Sequence, residues 1–324
     1  MPILNSPTYV PPILLRNGHL QTLVPYLFRR VTELKYNRER VDTPDGDFID
    51  IDFCPSVQGD TDSVVILSHG LEGNSQTPYM RGMAKYFTQL GVDAVAWNMR
   101  SCSGEMNRLP MFYHSGLTQD LELAIEYALT KKNYTNIYLV GFSLGAGLTA
   151  MYLGQNAKTL NPKIKKAVVF SAPCCLKSSG EELASPAHRI YSENLLMTMR
   201  KKVLEKDQIM GLPMLDLHNL HKVKTFQEFD DRVTSKLLGY QDAQEYYRKN
   251  SCLPFLENIN IPTLIVNAKN DPFLGKKCYP IREAYKNSSL YLEMPKSGGH
   301  LGFFYLKKGP YWSEQRAAKF ILED

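Results

Sequence analysis

Gly141-Phe142-Ser143-Leu144-Gly145 puts a hydroxyl between two small residues where an apolar run gives way to a helical pattern. A serine projected from a tight strand-to-helix turn needs glycine two positions away on each side, because the backbone there passes close to its neighbours. Its hydroxyl is a weak nucleophile until a base takes the proton, and that base needs an acid to orient it. Two later loops supply those groups in the order serine, acid, base. Asp271 follows the apolar run 263–267, and His300 follows residues 290–294 inside Ser297-Gly298-Gly299-His300-Leu301-Gly302. Asp271 also belongs to a good turn sequence, Asn270-Asp271-Pro272, and its main rivals as the acid are Glu181 and Glu182.

A nucleophile of this kind attacks acyl carbonyls, and the oxyanion that forms must be met by donors already in place. The amide of Leu144 qualifies, as the residue after the nucleophile and at a helix N-terminus. The second donor is expected from His69-Gly70-Leu71-Glu72-Gly73, with the amide of Leu71 first in line. His69 reads as a structural hydrogen-bonder rather than a second base, and His114 as a tie for the loop from Arg100. The glycines Gly141, Gly145 and Gly147 also fit a dinucleotide-binding turn, which keeps a nucleotide-dependent oxidoreductase as the reading from another class. Against it, the next strand ends in Phe170-Ser171-Ala172-Pro173 with no acid for a ribose, and the Tyr127/Lys131 pair lies upstream of the turn.

The elements that must position these groups alternate. Short apolar runs at 64–67, 92–97, 137–142, 167–170, 263–267 and 289–294 read as buried parallel strands. Amphipathic segments 77–90, 118–132 (with Thr118 as N-cap), 144–157 and 312–322 read as helices. A hairpin of residues 33–41 and 48–53 precedes them, and residues 19–24 form a short helix. The alternation stops over 174–258, which is helical throughout. The expectation is an α/β fold, a mostly parallel eight-stranded sheet with an N-terminal antiparallel hairpin, helices on both faces and a helical lid insertion. Residues 1–40 form an arm packed on the core, 41–173 and 259–324 the core, and 174–258 the lid.

Composition narrows the classes further. At 324 residues with 44% hydrophobic and 22% charged, the chain is neither disordered nor fibrous. A net charge of +5 over this length demands no polyanion, so no nucleic-acid partner is expected. The basic stretches Arg16, Arg29, Arg30, Lys35, Arg38, Arg40 and Arg200, Lys201, Lys202 read as solvated faces. No apolar run reaches the ~18 residues of a membrane span, and residues 1–10 lack the shape of a secretory signal. Six cysteines without a C-x-x-C pair point to reduced thiols in a cytoplasm, and Cys174-Cys175 to core packing. Asp216, His218 and His221 have a spacing that suits a metal but lack any partner motif, and read as a lid helix face. No metal and no cofactor are expected.

The ordered set His69-Gly70-x-x-Gly73, Gly141-x-Ser143-x-Gly145, Asn270-Asp271-Pro272 and Gly299-His300 resembles the α/β-hydrolase superfamily. Gly18-His19-Leu20-Gln21-Thr22, Asn98-Met99-Arg100 with Cys102-Ser103-Gly104, Tyr113-His114-Ser115-Gly116, Glu228-Phe229-Asp230 and Tyr246-Tyr247 look like its YheT-like branch. That branch includes bacterial hydrolases, fungal medium-chain ethyl ester synthase/esterases and animal monoacylglycerol-lipase-like enzymes. The resemblance spans nearly the whole chain and implies nucleophile, acid and base at Ser143, Asp271 and His300. It departs at Ser101, where relatives carry glycine, and at Ala146-Gly147, where they carry Gly-Asn. The expected activity is serine hydrolysis of short- to medium-chain acyl esters or monoacylglycerol-like substrates, with acyl transfer to an alcohol as the alternative. Met197, Met199, Leu212, Met214, Leu215, Phe226 and Phe229 either line an acyl pocket or pack the lid. The arm, apolar and basic, is expected mainly to dock on the body, with weak membrane contact as its second use. Oligomeric state is open.

Overall fold

Strands form where β-branched and aliphatic runs are buried on both faces, since backbone groups with no access to water must pair in a ladder. In the computed structural model, which describes residues 3–4, 9–306 and 309–323, nine strands result. They are β1 (Ile3–Leu4), β2 (Asn37–Asp42), β3 (Phe48–Cys54), β4 (Ser63–Ser68), β5 (Asp93–Asn98), β6 (Asn136–Phe142), β7 (Ile164–Phe170), β8 (Thr263–Val266) and β9 (Leu290–Glu293). Their order is β1-β9-β8-β7-β6-β4-β5-β3-β2, with β3 antiparallel to both neighbours and the other pairs parallel. The count of eight is corrected by β1, which pairs Ile3 with Leu292 at the sheet edge. A two-residue edge strand in a proline-rich arm carries no period for a sequence to show.

Helices α1 (Gly18–Phe28), α2 (Pro78–Gln89), α3 (Thr118–Lys131) and α4 (Leu144–Gln155) follow. One face of the sheet is covered by α3 and α4 through Leu121, Ala124, Leu148 and Ala150. The other is covered by α2 and the C-terminal helix Trp312–Leu322 through Met83, Phe87, Ala317 and Phe320. Thr118 is the first helical residue and Leu117 the N-cap. Leu117 makes no side-chain cap, so the expected threonine cap is absent.

Several basic residues expected on solvated faces instead hold the fold together. Arg29 pairs with the buried Glu314 at 2.5 Å, Arg38 with Asp52 at 2.7 Å and Arg40 with Asp50 at 2.8 Å. The loop after β5 is tied by Arg100, which reaches Asp120 at 2.8 Å and Asp45 at 2.7 Å. His114 does not make that tie; its Nδ1 accepts from the Gly116 N–H at 3.1 Å. Ser101, where relatives carry glycine, has φ +62°, and its hydroxyl bonds Asn107.

Above the C-terminal ends of the strands, α5 (Leu176–Leu183) and α6 (Arg189–Met210) begin a helical stretch that ends with Leu253–Asn258. It has its own apolar cluster of Leu196, Val203, Leu220, Phe229 and Val233, with Leu23 of α1 and Leu71, Phe112 and Phe273 of the core packed against it. Arg200 is buried in this layer and donates to the carbonyls of His221 and Val223. The apolar cluster rests on the loops that carry the reactive groups.

Candidate active site

Ser143 occupies the sharp turn between β6 and α4 with φ +53° and ψ −119°. A non-glycine residue in that region costs on the order of 1–3 kcal/mol and persists only where its surroundings over-determine it. They do so here through close approach. A Cβ on Gly141 would lie 2.6 Å from the Gly145 carbonyl oxygen, one on Gly145 2.5 Å from that of Ser68, and one on Gly70 2.9 Å from Ser143 Cβ. The Ser143 N–H donates to the Phe170 carbonyl at 2.9 Å. Gly141 and Gly145 are thus filled by protein and leave no cradle for a pyrophosphate.

The loops after β8 and β9 bring the other two groups to it. His300 Nε2 lies 2.9 Å from Ser143 Oγ, and His300 Nδ1 lies 3.0 Å from each Asp271 oxygen. Asp271 Oδ1 also accepts from the Phe273 N–H at 2.9 Å. The Phe273 ring stacks on the imidazole, 3.9 Å between centroids and 6° between planes. Glu181 and Glu182 are elsewhere, facing Lys177 and His188.

The arm, whose part in the site was not foreseen, holds the histidine loop. The Thr22 hydroxyl of α1 accepts from the His300 N–H at 2.9 Å. Asn270 accepts from the Gly299 N–H at 3.0 Å and donates to the Arg16 carbonyl at 2.9 Å. A Cβ on Gly299 would lie 2.6 Å from the Gly18 carbonyl oxygen. The only sequence signal for this was Gly18-His19-Leu20-Gln21-Thr22, seen as part of a resemblance and not as chemistry.

Leu71 and Leu144 flank Ser143 in the same cavity wall. As the first residue of α4, Leu144 has an amide with no intrahelical acceptor. The Leu71 amide sits in the turn 70–73, closed by the Gly73 N–H donating to the Gly70 carbonyl at 3.0 Å. Its neighbours are engaged: the Gly70 N–H donates to Tyr79 Oη at 3.0 Å and the Glu72 N–H to Tyr113 Oη at 2.8 Å. Among the described residues, the Leu71 N–H has no acceptor. The peptide that carries it is held from behind by His69, whose Nδ1–H donates to the Gly70 carbonyl at 2.7 Å. The Met99 N–H donates to the Nε2 of His69 at 3.0 Å, which fixes the neutral Nδ1–H tautomer. Because the peptide is planar, fixing its C=O aims its N–H.

Burial pushes both His69 and His114 from 6.5 down to about 4. Each binds fewer protons folded than unfolded, so stability falls as pH drops from 6.5 toward 4, by up to roughly 3 kcal/mol apiece. Thermal midpoints across pH 4–7 are expected to decline in that window, less steeply in His114→Asn; a flat profile contradicts the assignment.

A cavity of about 840 Å³ opens over Ser143 between the helical layer above the strands and the loops beneath it. Of the residues expected from sequence to line an acyl pocket or pack a lid, Met199, Phe226 and Phe229 line it. Met197 and Met214 are instead exposed, and Leu212 and Leu215 pack in the apolar cluster of the helical layer. Asp216 accepts from the His218 N–H and the His221 carbonyl accepts from Arg200; no group able to hold a metal is found among the described residues.

A family model described as the alpha/beta hydrolase fold matches residues 63–305, three quarters of the chain, and the chain belongs to that family. Among its relatives is YheT of Escherichia coli strain K12, an esterase by name, 33% identical over 321 residues that cover 98% of this chain and 94% of that protein. Human phospholipase ABHD3 is 29% identical over 303 residues, 91% of this chain and 73% of that protein. The esterase Pf2001 of Pyrococcus furiosus superposes with a TM-score of 0.58 at 15% identity, over 98% of this chain and 97% of that one, a likeness of fold alone. The oxidoreductase reading is thereby overturned.

Proposed function

We propose that this carboxylic ester hydrolase cleaves short- to medium-chain acyl esters, monoacylglycerol-like substrates included, through an acyl-enzyme intermediate. The observation that carries the reading is the unbroken line from Asp271 through His300 to Ser143 Oγ, each step within hydrogen-bond reach. Ser143 Oγ attacks the ester carbonyl as His300 Nε2 takes its proton, and the amides of Leu71 and Leu144 receive the oxyanion. His300 then returns the proton to the leaving alcohol. Water, deprotonated by the same nitrogen, releases the acid and restores Ser143. Asp271 keeps the His300 proton on Nδ1 and stabilises the imidazolium.

Relatives named for esterase and phospholipase activity support an ester as substrate. The apolar walls contributed by Leu183, Leu195, Met199, Phe226 and Val233 support an aliphatic acyl group. A panel of p-nitrophenyl esters from two to sixteen carbons is expected to peak at short or medium chains, and equal rates across the panel would defeat that range. Run with ethanol or glycerol present, the same panel separates hydrolysis from transfer: an acylated alcohol exceeding free acid makes the protein a transferase.

Weak contact with a lipid surface belongs to the same proposal. Exposed Tyr26, Leu27 and Ile190 line the cavity mouth, with exposed Phe28 and Arg30 beside them. Co-sedimentation with phosphatidylglycerol vesicles, lost in Phe28→Ser, checks it; no sedimentation of the wild type refutes it. Among the described residues, no helix is long and apolar enough to cross a membrane. Six free cysteines support a reducing compartment.

A further inference from the structure

Glu72 holds the third position of the turn 70–73 with φ +56°, where glycine is the favoured residue. What glycine lacks is a side chain, and this one accepts two hydrogen bonds at Oε1, while the buried Oε2 has an ion-pair partner but, among the described residues, no hydrogen bond. The Tyr113 hydroxyl accepts from the Glu72 N–H and donates to Glu72 Oε1 at 2.7 Å. From the lid, Lys202 on α6 donates to Oε1 at 3.1 Å and stands 3.0 Å from Oε2. The Glu72 carboxylate is only 7% exposed, so the pair is largely shielded from water and salt. One helical turn further along α6, the fully buried Lys206 donates to Asn107 Oδ1 at 2.6 Å and to the Leu109 carbonyl at 2.7 Å. The same face of the lid helix is therefore anchored both to the loop that carries Tyr113 and to the turn that carries the Leu71 amide.

We propose that Lys202 and Glu72 are positioning residues: through the Glu72 carboxylate, the lid lysine holds the turn so that the Leu71 amide meets the oxyanion. This rests on the reading of Leu71 as an oxyanion donor. His69 fixes the peptide from the sheet side, and Glu72 with Tyr113 and Lys202 fixes the next residue from the lid side. The lid thereby takes part in the chemical step as well as walling the pocket. A non-glycine residue at this φ is kept because its side chain reaches the lid, and the cost in backbone strain is offset by that tether.

The test uses p-nitrophenyl acetate, whose acyl group is too short to fill the lid pocket, with kcat, KM, the rate of inactivation by a fluorophosphonate and the thermal midpoint read together. Lys202→Met is expected to lower kcat and the inactivation rate by about 10- to 100-fold, with KM unchanged within about threefold, and Lys202→Arg to regain most of both. Glu72→Gly installs the residue that the turn geometry favours. Its melting point is expected to hold or rise while its kcat falls as far as in Lys202→Met, and the double variant is expected to lose little more, since both act through one contact. Should Lys202→Met not fold, Glu72→Gly decides the matter. Wild-type kcat in these variants, a rise in KM with kcat intact, or a loss that tracks the melting point overturns the proposal. Ser143→Ala run alongside separates the two claims: an active Ser143→Ala sinks the hydrolase mechanism, whereas an inactive one beside a fully active Lys202→Met sinks only the lid tether.

Discussion

Ser143→Ala is expected to lower kcat/KM for p-nitrophenyl esters by about 10⁵- to 10⁶-fold, the largest effect of any single change in this protein. The substitution removes one oxygen and leaves its setting in place. The hydrogen bond from the residue 143 N–H to the Phe170 carbonyl is a backbone contact that alanine keeps, and the glycines around the turn are untouched. A folded variant with a normal melting curve and no turnover is therefore the predicted outcome. What activity remains should come from the Leu71 and Leu144 amides and from substrate binding, which act on water as well as on a serine. A loss of less than about tenfold would mean that another group performs the attack.

The second large effect concerns the base and the acid. His300→Ala is expected to cost nearly as much as the loss of Ser143, and the double variant to cost no more than either alone, because the proposed nucleophile and base would act as a unit. Asp271→Asn should lower kcat by about 10⁴-fold for a different reason. Asp271 accepts at both oxygens from His300 Nδ1, which holds the proton on Nδ1 and leaves Nε2 free to take one from Ser143. An asparagine that turns its NH₂ toward Nδ1 favours the opposite tautomer, with the proton on Nε2 and no base facing the serine. The Phe273 ring, stacked on the imidazole, keeps the side chain in position, so the variant loses chemistry rather than shape. Stopped-assay kinetics across pH 6–9 distinguish the cases: Asp271→Asn should recover in part where hydroxide replaces the missing base, and His300→Ala should follow hydroxide throughout.

The parts of this arrangement that a sequence displays are those with a local cause. Ser143 stands out because two glycines and a strand-to-helix change surround it, and Asp271 and His300 because each follows an apolar run short enough to be a buried strand. The sheet was legible on the same grounds, apart from β1, whose two residues pair with β9 only because the rest of the sheet leaves that edge open. What stayed hidden depends on segments far apart in the chain. Thr22 meets the His300 amide across 278 positions, and Lys202 meets Glu72 across 130; neither contact leaves a periodic trace. Charge was misleading in the same way. Arg29, Arg38 and Arg40 look like a solvated run, yet each has a buried carboxylate waiting on another element. His114 was expected to tie the loop from Arg100, whereas that loop is held by the Arg100 guanidinium on acids of the β2–β3 turn and α3, and His114 bonds the nearby Gly116 amide.

The most direct test of the mechanism is covalent. Folded wild-type protein incubated with a fluorophosphonate probe, digested and mapped by mass spectrometry, is predicted to carry a single adduct on the peptide containing Ser143, absent from Ser143→Ala and formed far more slowly in His300→Ala. No adduct on the wild type, or an equal yield on Ser143→Ala, would contradict it.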